Sequence, residues 1–156
     1  MIQYCHGNLF EADAEALVNP VNTQGVMGKG LALAFKKMFP ENFEAYAEAC
    51  QSGHIKTGKM FVTEQQGLIG PRWIINFPTK QHWRDPSRLE WIDQGLADLR
   101  KVLAENQIPS VAIPPLGCGL GGLDWELVKP RIEDAFSGLA DVRVLLFEPA
   151  RTAKSF

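Results

Sequence analysis

The sequence predicts an α/β domain in which helices cover both faces of a mixed, mostly parallel central sheet. Three observations lead there. Short β-type apolar runs alternate with stretches of helical periodicity along the chain. The runs "SVAIPP" and "VRVLLF" are apolar almost throughout, as strands covered on both faces are. Each of two glycine-rich stretches stands where a strand pattern gives way to a helical one.

The elements follow in order. Strands are expected over Ile2–Tyr4 and Ala16–Asn19. After Gly30, the residues Leu31, Phe35 and Met38 fall at helical spacing, and Pro40 closes that segment. A second short helix is expected from Glu41 to Gln51, ended by Gly53. Strands follow over Met60–Thr63 and over Trp73–Phe77, the latter ended by Pro78. The strongest helical signal is Ser87 to Glu105. Ser87 and Glu90 have capping-box spacing, and Leu89, Ile92, Leu96, Leu99 and Leu103 mark one apolar face. A strand over Val111–Pro114, a helix around Asp124–Leu139 and a strand over Val142–Phe147 complete the set. Pro130 inside that helix implies a kink or a start later than Asp124.

The totals exclude several classes of protein. A chain of 156 residues suits one domain, and 46% hydrophobic with 22% charged residues is an ordinary globular balance. No apolar run is long enough to cross a membrane, and the N-terminus MIQYCHGN lacks the charged and apolar regions of a secretory signal. Cys5, Cys50 and Cys118 are odd in number and form no CxxC pair, and His6, His54 and His82 show no ligand spacing. A reducing cytoplasm is therefore expected, with no disulfide framework, metal or cofactor. The formal net charge of −2 gives no support to an electrostatic grip on long duplex DNA, though it leaves room for a site that reads one nucleotide.

The first glycine-rich loop, Asn22 to Gly30, fails as a Walker loop. Lys29 is followed by Gly30 instead of Ser or Thr, and no glycine stands five residues before Gly28. What it keeps is general: glycines let backbone N–H groups approach an anion, and a helix N-terminus favours negative charge. The second loop, "PPLGCGLGG", satisfies GxGxxG through Gly117, Gly119 and Gly122, but too little chain follows for a dinucleotide-binding unit. Two such loops at strand ends suggest one diphosphate clamped from both sides. A tight strand-to-helix turn is the plain alternative for each.

Other polar residues cluster at the same predicted strand ends. Asn8 follows Gly7, and Asn19 and Asn22 bracket Pro20. Asparagines there suit ribose hydroxyls, since each amide both donates and accepts, or they cap turns. Lys80 follows "IINFPT" among apolar and aromatic neighbours, which makes it either a desolvated, reactive amine or a surface lysine. The patch Lys80-Gln-His-Trp-Arg84 reads as a base-stacking surface or as a solvated loop. Cys118 reads as a small residue in a tight loop rather than as a nucleophile, because no histidine lies near it in sequence.

The stretch "GNLFEADAEALVNPVNTQGVMGKGLALAFK" resembles the opening of macrodomains, the three-layer α/β/α modules that bind ADP-ribose, and "PPLGCGLGGLDWELV" resembles their second diphosphate loop. The resemblance spans Ile2 to Pro149. The MGKG loop, the Pro-Thr-Lys segment and GCGL…W look most like the branch that holds terminal ADP-ribose glycohydrolase and the bacterial antitoxins that strip ADP-ribose from DNA. That branch uses a catalytic lysine, and Lys80 occupies its place after Thr79.

The resemblance implies further roles. Asn8 and Leu9 would hold adenine with Phe147 stacked on it, and Asn22 would hold the distal ribose, with Asn19 nearby. The diphosphate would rest on Gly28, Lys29 and Gly30 and on Gly117, Cys118, Gly119, Leu120 and Gly121, with Thr79 and Pro115 also among the residues that bind ADP-ribose. Two departures stand out. Asn8 replaces the usual aspartate, and Gly121 stands where the eukaryotic glycohydrolase has the aspartate paired with its lysine, Asp124 lying three residues later. The implied activity is hydrolysis of ADP-ribose from thymidine in single-stranded DNA, by a monomeric antitoxin opposing a DarT-type transferase, with this chain as the N-terminal domain of a longer protein. Lys80 would attack C1″ or donate a hydrogen bond or proton as thymine departs. A non-catalytic ADP-ribose reader and an ADP-ribose 1″-phosphate phosphatase share the same binding residues.

Overall fold

The computed structural model describes residues 1–150. Six strands form one sheet: β1 (Ile2–Cys5), β2 (Ala16–Val21), β3 (Phe61–Glu64), β4 (Trp73–Pro78), β5 (Ser110–Ile113) and β6 (Arg143–Phe147). Their order across the sheet is β1-β6-β5-β2-β4-β3. Every pairing is parallel except β3 on β4, which is antiparallel. The expected mixed, mostly parallel sheet is therefore present, with β3 as its reversed edge.

Alternation along the strands separates two apolar layers. Ala16, Val18, Ile75, Phe77, Val111, Ile113, Val144 and Leu146 face one way. They pack against α3 (Leu89–Glu105) through Ile92, Leu96, Leu99 and Leu103, and against α4 (Trp125–Phe136) through Val128, Ile132 and Phe136. Leu17, Ile74, Ala112, Leu145 and Phe147 face the other way, toward Phe35 of α1 (Gly30–Met38) and the 3₁₀ turn Leu9–Glu11. Each such side chain taken from water stabilises the fold by about 1.5–3 kcal/mol before entropy is counted. The helix α2 (Pro40–Gln51) adds Tyr46 and Ala49 to a third cluster with Val21, Met27 and Ile55. One contact leaves no room for a side chain: a Cβ on Gly95 of α3 would lie 2.3 Å from Cζ of Phe77. The helix thus rests almost directly on the end of β4.

Several boundaries differ from expectation for physical reasons. Pro40 does not merely close α1; it opens α2 at a position where its missing N–H costs nothing. The capping box of α3 does not form. Arg88 is the N-cap and makes no side-chain cap bond, while Glu90 pairs with Arg88. Ser87 has been drawn elsewhere: its N–H donates to the Gly121 carbonyl at 2.9 Å, and its hydroxyl is buried. Helix α4 begins at Trp125 behind Asp124, whose carboxylate accepts from the Glu126 N–H at 3.0 Å, and it runs past Pro130 to Phe136.

Candidate functional site

The parallel strands β5, β2 and β4 lie side by side, so their carboxyl ends open at one edge of the sheet. Three segments leave from there: the Asn22–Gly30 loop after β2, Thr79–Lys80 after β4, and the Pro114–Gly122 loop after β5. Pairing continues beyond the strands. The Thr79 N–H donates to the Val21 carbonyl at 2.8 Å, and the Thr23 N–H to the Gln81 carbonyl at 3.0 Å. The first loop and the lysine segment are therefore held in register.

These segments enclose a cleft of about 510 Å³. Asn22, Gly28, Lys29 and Gly30 form one wall, and Pro115, Gly117, Cys118, Gly119, Leu120 and Gly121 the facing wall. Thr79, Lys80 and Trp83 close one end, and Pro149 also borders the space. The first N–H groups of α1, from Gly30, Leu31 and Ala32, have no partner within the helix. In the facing turn, the N–H groups of Gly119, Leu120 and Gly121 make no bond among the described residues, whereas Cys118 and Gly122 donate to Pro115 and Gly119. Two sets of free donors thus face one space, an arrangement suited to an anion held from both sides.

The second turn is tightly built. A Cβ at Gly121 would stand 2.4 Å from the Ser87 hydroxyl and 2.5 Å from the Gly117 carbonyl oxygen. That carbonyl is pinned by the Leu123 N–H at 2.9 Å. The Ser87 hydroxyl itself has no hydrogen-bond partner among the described residues. On the other wall, Asn22 is 5% exposed and locks its own loop. Its Oδ1 accepts from the Gln24 N–H at 2.9 Å and its Nδ2 donates to the Val26 carbonyl at 2.8 Å. The Tyr46 hydroxyl lies 2.7 Å from the Asn22 carbonyl oxygen, and burial pushes its pKa up, so it stays a donor. Among the described residues, the second N–H of the Asn22 amide makes no bond.

The described residues lining the cleft include the amines of Lys29 and Lys80 and the thiol of Cys118, with no carboxylate or imidazole among them. Burial pushes the Cys118 thiol up to about 11, and its Sγ donates to the Leu116 carbonyl at 3.5 Å, so little thiolate forms. Burial lowers the pKa of Lys80, with Asp85 acting the other way, and its Nζ donates to the Trp83 carbonyl at 2.9 Å. Among the described residues no group of acidic, histidine or cysteine side chains is placed to hold a metal ion, and no helix is long and apolar enough to cross a membrane.

Four sequence expectations land elsewhere. Asn19 is fully buried and does not line the cleft. Its Nδ2 donates to Oδ1 of Asn76 at 3.1 Å, in a buried cluster with Asn42, whose Oδ1 accepts from Asn76 at 2.9 Å and from Thr63 at 2.7 Å. Asn42 and Asn76 were not singled out by the sequence, since nothing in a helix and a strand far apart along the chain pairs them. Asn8 caps the 3₁₀ turn, its Oδ1 accepting from the Phe10 N–H at 2.9 Å. Leu9 and Phe147 are packed in the apolar layer against α1. These three stand outside the cleft lining, although Pro149, just beyond Phe147, reaches it. Trp83 lines the cleft without having been assigned to it, its signal being the aromatic set among cations.

Comparison with known proteins agrees with this geometry. The family model described as Macro domain matches residues 18–132. A Thermus aquaticus protein named DNA ADP-ribosyl glycohydrolase is 50% identical over 155 residues, which cover 99% of this chain and 43% of that protein. The chain thus spans less than half the length of such curated relatives. The structure titled macrodomain of Mycobacterium tuberculosis DarG superposes with a TM-score of 0.95 at 56% identity, covering 96% of this chain and 99% of that one. Thermosipho africanus DarTG in complex with ADP-ribose superposes at 0.86 with 31% identity, covering 96% of this chain and 42% of that one. With three strand ends, two donor-lined loops and a family match across both, the chain belongs to the macro domain family.

Proposed function

We propose that this chain is the ADP-ribose-binding and catalytic part of a DNA ADP-ribosyl glycohydrolase. It removes ADP-ribose from thymidine in single-stranded DNA and so opposes a DarT-type DNA ADP-ribosyltransferase. The observation that carries this reading is the meeting of two donor-lined loops with Lys80 in one cleft that holds no other amine but Lys29. The names of relatives at 50% and 56% identity supply the substrate class.

In this reading the diphosphate rests between the N-terminus of α1 and the Gly117–Gly121 turn, and the free N–H of Asn22 meets the distal ribose. Adenine lies toward the ends of β1 and β6, near Asn8, Leu9 and Phe147. Lys80 is the nucleophile. Its neutral amine attacks C1″ of the distal ribose, the C1″–nitrogen bond to thymine breaks, and thymine leaves with the bonding pair and takes up a proton. Water then displaces the lysine from C1″, which frees the amine and ADP-ribose. Lowered basicity from burial leaves more of Lys80 neutral near physiological pH than an ordinary lysine.

The test is parallel incubation with an ADP-ribosylated thymidine oligonucleotide and with ADP-ribosylated protein. Release of ADP-ribose from the oligonucleotide is expected, and its loss in Lys80→Ala. Wild-type release by that variant sinks the assignment of Lys80; no release by the wild-type chain sinks the reading as a glycohydrolase.

A further inference from the structure

Beyond Lys80 the chain makes a short shelf at the mouth of the cleft. The imidazole of His82 stacks on the indole of Trp83 with ring centroids 5.2 Å apart and an interplanar angle of 30°. The Arg84 guanidinium lies over the same indole, 4.6 Å from its centroid. Trp83 is 42% exposed, a large apolar area to leave in water, and it borders the cleft. The shelf is held in place. Gln81 accepts from both the N–H and the hydroxyl of Thr23, each at 3.0 Å. The Arg84 N–H donates to Nδ1 of His82 at 3.1 Å, and the Asp85 N–H donates to the His82 carbonyl at 3.0 Å. Lys80 donates to the Trp83 carbonyl, so the amine is tied to the shelf.

This arrangement has the parts of a single-strand binding platform: an exposed π-surface for a base, with cations beside it for the backbone. It is local. The chain as a whole carries a formal net charge of −2, so attraction to nucleic acid has to come from such a patch. We propose that His82, Trp83 and Arg84 form a subsite for the nucleotide next to the modified thymidine. The neighbouring base stacks on the Trp83–His82 surface, and Arg84 meets the intervening phosphate. The shelf thereby places the strand so that the glycosidic bond faces Lys80. This rests on the reading that the cleft holds an ADP-ribosylated nucleotide of DNA, and it identifies the shelf as what separates a strand from a lone nucleoside.

The experiment compares three substrates on the intact chain: ADP-ribosylated thymidine as the free nucleoside, the same residue inside a short oligonucleotide, and that oligonucleotide with abasic sites flanking the modified thymidine. The wild type is expected to prefer the base-flanked oligonucleotide over the nucleoside by about tenfold in kcat/KM, mostly through KM. Trp83→Ala and Arg84→Glu bring that ratio close to one, Trp83→Phe restores it, and abasic flanks reproduce the loss in the wild type. A ratio of one in the wild type, or equal losses on nucleoside and oligonucleotide in the variants, overturns the proposal. Turnover is not the only readout. On a Lys80→Arg background, which keeps a donor near the Trp83 carbonyl but no neutral amine, the affinity for the ADP-ribosylated oligonucleotide relative to the ADP-ribosylated free nucleoside reports the contact of the shelf with the neighbouring nucleotide. A missing preference there overturns the shelf, whereas missing turnover by the wild type overturns the glycohydrolase reading.

Discussion

Gly121→Ala is the most informative single change, because the structure states what the added methyl meets. It would stand 2.4 Å from the Ser87 hydroxyl and 2.5 Å from the Gly117 carbonyl oxygen, about 1 Å inside ordinary contact at each. The Gly117 carbonyl, being backbone, has no easy escape. Ser87 is 4% exposed and tied through its N–H to the Gly121 carbonyl, and the Gly117 carbonyl is held by Leu123. The turn carrying the N–H groups of Gly119, Leu120 and Gly121 must therefore shift by roughly 1 Å, which disaligns the donors proposed to hold one phosphate. Overpacking of this kind costs about 2 kcal/mol, or roughly 4–8 °C in melting temperature for a domain of this size. ADP-ribose affinity, measured by calorimetric titration, should fall about 10–100-fold, the equivalent of about 1.4–2.8 kcal/mol. Ser87→Ala removes a hydroxyl that is buried without a partner, so alone it should leave stability unchanged or raised. Combined with Gly121→Ala it should recover part of the loss, since the Gly117 carbonyl still stands in the way. Wild-type affinity and melting temperature in Gly121→Ala would refute the description of this wall.

Three further outcomes are expected. Because the pKa of Lys80 is lowered and the proposed mechanism uses its neutral form, kcat should rise with pH and level off below the range of an ordinary lysine at 10.5; a rate that falls with pH across that interval makes Lys80 a proton donor instead. Asn76→Ala strips partners from Asn19, Asn42 and the Phe61 carbonyl at once, so denaturant unfolding should show a loss of about 2–4 kcal/mol, and an unchanged midpoint would contradict the role of that cluster. Cys118→Ala should keep turnover within about threefold of wild type, and iodoacetamide should modify Cys118 slowly at neutral pH, because a thiol pushed up to about 11 is almost wholly protonated there.

What the sequence made legible follows from what is local. A glycine-rich loop after an apolar run marks a strand end whatever the rest of the fold does, so the loops at Asn22–Gly30 and Pro114–Gly122 could be placed before the sheet order was known. Lys80 was legible for the same reason, through the strand ending at Pro78. Partners brought by other elements were not. Ser87 has the spacing of a helix cap, yet a backbone bond to Gly121 outcompetes the cap. Asn19 and Asn22 look alike in sequence, but β2 turns Asn19 inward toward Asn76, while Asn22 lies past the strand and faces the cleft. The 3₁₀ turn after Asn8 and the reversed edge strand β3 depend on what they pack against, which periodicity over a few residues does not carry.

The order β5-β2-β4 has a consequence for how the protein lives and unfolds. Strands adjacent in space come from distant parts of the chain, so no contiguous fragment that stops before β5 owns both walls of the cleft. Occupancy is therefore tied to the whole sheet. A nucleotide present at about a hundred times its dissociation constant adds about 2.7 kcal/mol against global unfolding. That protection should appear as slowed amide exchange throughout the central strands, far from any atom the nucleotide touches.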